Sequence, residues 1–240
     1  MPDDLRPTAE TAPHPVPGRH DMYHVIHKGL RYGHARLIQR LGSADHADPA
    51  DSAAALAELR AFLALGEGHL DGEEREIHPA VEARAPGASA HAHEGHDDHE
   101  RAFAELAALA AALDGAAGAD RIALGRDLYR RFGLFAAADL AHMHEEETAL
   151  LGTMHRLFTD DELAAIEARI VGRIDPAKMT GYMRLIVPAL TPAERAGMLG
   201  GLRAVMPPEA FAALWDGAVR PTLPPGALAA LAAQLRMPRG

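Results

Sequence analysis

Alanine and leucine recur among arginine and glutamate along nearly the whole chain, and runs of β-branched residues do not occur. This favours helix over strand, because straight-chain residues lose little rotamer freedom in a helix. Residues 1–18 break the pattern: they are proline-rich, show no periodicity and are expected to form a flexible tail. A first helix is expected from about His20 to Leu41, closed by Gly42-Ser43, with Asp48-Pro49 just beyond. A second runs from a cap at Asp51-Ser52 past Glu82 to Pro86-Gly87, with Pro79 as a possible kink point. A third runs from near Ser89 to Asp114-Gly115, and a fourth from near Asp120 to about Phe158. Links this short make consecutive helices antiparallel neighbours. The expectation is an all-α fold in which residues 19–158 form an up-down antiparallel four-helix bundle. Thr159 followed by Glu162 then opens a capping box. Asp175-Pro176, Thr191-Pro192, Pro207-Pro208 and Pro224-Pro225 each mark a further helix start. Residues 159–240 therefore read as a C-terminal appendage of shorter helices.

The helix faces carry unusual chemistry. The stretch "HMHEEE" sets two histidines and three glutamates in six consecutive positions inside a good helix former. Residues four apart share a helix face, so His142 and Glu146 point the same way. The second helix repeats this with His69 and Glu73, and carries a separate Glu74–His78 pair on its other side. The third offers His96 and Glu100, and the first offers His27, with His24 and His34 as rivals. At about 1.5 Å per residue, His27 lies roughly 21 Å and His69 roughly 25 Å from the first turn. The same reckoning puts His96 and His142 roughly 26 and 33 Å from the third turn. One layer containing His27, His69, Glu73, His96, His142 and Glu146 follows. Imidazole and carboxylate together suit Zn, Fe, Mn or Ni, and carboxylates can bridge two ions. Six or more such ligands exceed what one tetrahedral zinc needs and match two octahedral metals. Without metal, the same layer would bury several charges at a cost.

The totals narrow the classes. The chain has 240 residues, 15 histidines, no cysteine and a formal net charge of −10. Disulfides, thiolate sites and cysteine nucleophiles are excluded, and bulk charge argues against a nucleic-acid partner. No apolar run approaches the roughly 20 residues of a membrane helix. The first residues lack the apolar core of a secretory signal, so a cytoplasmic location without membrane attachment is the expectation. Every histidine lies between His14 and His155, which assigns the chemistry to the bundle. Paired E-x-x-H motifs, H-E-x-x-H, a glycine-rich phosphate loop and G-x-S-x-G are all absent.

The His27, His69–Glu73, His96 and His142–Glu146 set resembles the ligand pattern of the hemerythrin-like (HHE cation-binding) family, over roughly residues 20–158, with the appendage resembling an extension of some bacterial members. The resemblance implies a non-haem di-iron centre, oxo- or carboxylate-bridged, that takes O2, NO or peroxide for sensing, storage or detoxification. Zn or Mn are the other metals the donors would take. Many members have H-x3-H on the third helix, and Glu100 stands where the second histidine would be. As a ligand, Glu100 would favour oxidised metal and disfavour reversible O2 carriage; His99 is its rival. Two other functions remain open: a helical interaction protein with a purely structural metal, and a divalent-metal buffer using His91, His93 and His99.

Overall fold

The computed structural model describes residues 14–237. Among them the chain is helical throughout, with no strand. It comprises α1 (His24–Ser43), α2 (Pro49–Gly72), α3 (His78–Arg84), α4 (Ala90–Gly115), α5 (Gly118–Glu145) and α6 (Leu151–Leu157). These are followed by α7 (Asp160–Gly172), α8 (Pro176–Ala189), α9 (Pro192–Val205), α10 (Pro208–Leu214), α11 (Arg220–Thr222) and α12 (Pro225–Gln234). Three π-helical turns interrupt longer rods: Glu73–Ile77 joins α2 to α3, Glu146–Leu150 joins α5 to α6, and Trp215–Val219 joins α10 to α11. No described helix is long and apolar enough to cross a membrane.

The four long rods start and stop within a few residues of the expected punctuation. Pro79 sits just beyond the first π-turn. It has no N–H to donate, which loosens the ladder behind it. The Thr159–Glu162 capping box forms in both directions, and Asp175, Thr191, Pro207 and Pro224 each stand at an N-cap.

The residues sort into two compact units that interleave along the sequence. The first takes the chain up to His24, then Glu67–Ala108 and Arg130–Arg173. Its core includes Tyr23, Ile77, Val81, Leu151, Met154, Leu163 and Ile166. The last two belong to α7, and the unit runs on through Arg173. The physical reason is that α7 buries its apolar face in this core.

Of the tail expected over residues 1–18, the first 13 residues lie outside the described ones. Val16 donates its N–H to His155 Nδ1 at 2.9 Å, and His155 Nε2 returns a bond to the His20 carbonyl at 2.9 Å. Arg19 reaches Asp160 at 2.9 Å and the Phe158 carbonyl at 2.7 Å.

The second unit takes Val25–Gly66, Leu109–Tyr129 and the chain from Ile174 onward. Tyr182, Val187, Leu199, Trp215, Ala218 and Val219 pack in its core, and the Tyr182 hydroxyl donates to the Leu65 carbonyl at 2.6 Å. Buried Arg195 donates to the carbonyls of Val187 and Leu190, both at 2.7 Å, closing the end of α8. Gly33 has no room for a side chain: a Cβ there would stand 2.4 Å from the Phe62 ring. His27 and His34 are both buried in this unit, His34 edge-on to Phe62, whereas His24 is exposed.

Candidate metal centre

In the first unit three rods converge their ionisable residues. The rod formed by α2, its π-turn and α3 supplies His69, Glu73, Glu74 and His78. The helix α4 supplies His93, His96 and His99, and the rod of α5 and its π-turn supplies Asp139, His142 and Glu146. Both π-turns begin at the glutamate of an H-x3-E pair. In each, the N–H five residues on closes the turn on that glutamate's own carbonyl, His78 to Glu73 and Leu151 to Glu146. The wide turn swings the fifth residue back toward the glutamate's face, which is how His78 joins the buried side. Gly95 lets α4 approach: a Cβ there would lie 2.6 Å from His142 Nδ1.

The buried carboxylates sit among imidazoles. His69 Nε2 is 3.3 Å from Glu73 Oε1, and His142 Nε2 is 3.3 Å from Glu146 Oε1. His96 Nε2 faces Glu73 Oε2 at 3.4 Å and Glu146 Oε1 at 3.6 Å. The side chains of Glu73, Glu146 and His96 are at most 3 % exposed. Despite these approaches, neither Glu73 oxygen nor the Nε2 atoms of His96 and His142 find a hydrogen-bond partner among the described residues. Buried polar atoms are normally bonded, so donors that converge without bonding one another mark a place suited to a cation. His69, Glu73 and Glu146 bring ligand atoms within 4.8 Å of one another, and so do His78, His96 and Glu146. Glu146 is common to both groups.

Electrostatics agree with the geometry. Burial pushes His96 down, but the carboxylates of Glu146 and Glu73 outweigh it and hold the imidazole up at about 10. His142 is likewise raised, against its burial, by Glu146. Burial first, then Glu146 and Glu73, raises the buried Tyr23 phenol. Thus the pocket carries negative charge that positive charge must offset. His99 is held down at about 4, chiefly by burial, so it stands neutral with a nitrogen to offer. It lies 3.5 Å from Asp139 Oδ1, and its ring centroid is 4.8 Å from that of His142. Behind His96, Glu74 Oε1 accepts from His96 Nδ1 at 2.7 Å. That bond orients the ring with Nε2 toward the pocket, as carboxylates behind metal-bound histidines do.

Of the residues the sequence singled out, the structure brings together His69, Glu73, His96, His142 and Glu146. His27 lies in the second unit, fully buried. Glu100 is exposed, while its rival His99 is buried. The third position after His96 continues its face here, and the fourth passes to solvent. Sequence reasoning missed Tyr23, His78 and the orienting role of Glu74. The Glu74–His78 spacing was visible, but the π-turn that carries His78 inward was not. Two carboxylates and several imidazoles can hold one or two borderline divalent ions. No family model, curated protein or solved structure matches the chain.

Proposed function

We propose that this chain is a metal-binding protein whose buried cluster holds two metal ions, iron foremost, that bind or reduce O2 or a related small ligand such as NO or peroxide. The observation that carries the reading is Glu146, a buried carboxylate belonging to two donor groups at once. A carboxylate so shared is the natural bridge between two ions. The resemblance to hemerythrin-like proteins supports the same reading, and with it an up-down arrangement of the four long rods. It also names His27 as a further ligand. Ferrous iron in such a cluster would supply electrons to O2. The chain's own groups do the rest. Glu73 and Glu146 hold charge, His96 is oriented by Glu74, and the aromatic contacts of Phe103, Phe132 and Phe135 line the adjoining core and restrict water.

The test is metal analysis of protein produced with added iron, followed by anaerobic and aerated optical spectra. The expected outcome is about two irons per chain, the number a bridging carboxylate serves, with a spectrum that changes on exposure to air. One metal or none after supplementation overturns the two-ion reading. Two ions with no response to O2, NO or peroxide would leave a structural metal in a helical interaction protein.

A further inference from the structure

A second set of donors extends outward from the buried cluster and shares Glu74 and His78 with its surroundings. Glu74, His78 and His93 each offer a ligand atom within 4.8 Å of the others. Glu74 Oε1 stands 2.9 Å from His93 Nδ1 and 3.0 Å from His78 Nδ1. Exposure falls in steps through the set: the side chain of His93 is 59 % exposed, that of Glu74 32 % and that of His78 6 %. His78 is the hinge of the arrangement. Its ring stacks on His96 with centroids 4.8 Å apart and planes 19° from parallel. It belongs to the outer set and also to the buried group with His96 and Glu146. Neither ring nitrogen of this nearly buried histidine makes a hydrogen bond among the described residues, since the Glu74 oxygen lies off the line its Nδ1 would need. A buried imidazole with both nitrogens unbonded is costly. Both are placed to meet a cation, one on each side.

We propose that Glu74, His78 and His93 form a second, outer cation site through which divalent metal reaches the buried cluster. The proposal rests on reading that cluster as a metal centre. Two imidazoles and one carboxylate suit borderline divalent ions such as Co2+, Zn2+ or Fe2+. Three protein ligands leave positions for water, so an ion held here exchanges readily. Moving inward, it gives up His93 and gains His96 and Glu146, passing from one ring nitrogen of His78 to the other. A donor is thus at hand at every stage from solvent to the interior. The first π-turn is what makes this possible, because it places Glu74 outward and His78 inward within five residues.

The experiment uses the full chain, stripped of metal by chelation and titrated anaerobically with Co2+, read by calorimetry and by cobalt absorption. Filling of the cluster by Fe2+ is followed in parallel. Wild type should show tight sites and one weaker ion. His93→Ala should bind that weaker ion at least tenfold less well, the range seen when a metal site loses one supporting group. It should fill with Fe2+ several-fold more slowly and still reach the wild-type metal content. His93 is exposed, so helix content by circular dichroism should be unchanged. An unchanged Co2+ isotherm in His93→Ala overturns the site, and unchanged Fe2+ filling overturns the route. His142→Ala separates the two readings. If it keeps the weaker ion while losing tight metal, both stand. If wild type holds tight metal but no weaker ion, only the outer site fails. If only a weak ion ever binds, and His93→Ala abolishes it, the buried centre fails and with it the route.

Discussion

At the scale of single residues, Glu146 is the side chain on which two donor groups depend. Glu146→Gln should therefore remove more than one ligand contact's worth of metal, lowering content from about two ions to one or fewer. His14→Ala, at an exposed position, should leave metal content unchanged. Elemental analysis of the two variants beside wild type checks both. Of the two rivals on α4, Glu100 is exposed and His99 buried. Glu100→His should leave the rate of air oxidation as it is in wild type, whereas His99→Ala should change it, as stopped-flow mixing of reduced protein with O2 would show. His96 gives a pH dependence. Its folded-state value of about 10 lies above the ordinary 6.5. A raised value adds stability that is complete below the unfolded value and is lost as pH climbs to the folded one. Metal-free protein should therefore melt at falling temperature between pH 6.5 and 10. Metal-loaded protein should be flatter over that range, because the ion replaces the proton.

At the scale of elements, the approach of α4 to the fourth rod depends on Gly95. Gly95→Ala would drive a methyl into the His142 ring, a clash of the kind that costs about 1–3 kcal/mol. The expected outcome is a lower melting temperature together with lost metal. The capping box of α7 sets a separate limit in acid. Arg84 first, then the Thr159 backbone, holds the Glu162 carboxyl down at about 2 against an ordinary 4.5. Its contribution is present above pH 4.5 and is lost as pH falls toward 2. Glu162→Gln should flatten the acid limb of stability, read as the urea midpoint against pH. These elements also show what a sequence discloses. Proline, glycine and capping residues act locally, so the rod ends and the α7 cap were legible. The i, i+4 pairs His69–Glu73 and His142–Glu146 were legible for the same reason. The π-turns were not, because one extra residue per turn leaves no local signature, and His78 turned inward unannounced. The burial of α7 depends on a partner surface assembled from distant segments, which no local pattern marks.

At the scale of the whole molecule, each unit is built from three separated stretches of chain. Leu163 and Ile166 are core residues of the first unit, and Tyr182, Leu199 and Trp215 of the second. A chain truncated after Phe158 loses all five. It should fail to melt cooperatively by circular dichroism and should bind a hydrophobic dye, although the four long rods are present in full. The interleaving also fixes a timetable. His69 and Glu73 leave the ribosome well before Glu146, by on the order of ten seconds at usual rates of synthesis. The segment that completes their unit, α7, comes later still. For that interval the growing polypeptide displays half of the proposed ligand set to whatever ions surround it. A cell rich in a tightly binding competitor such as copper could therefore mis-metallate this protein during translation more readily than after release.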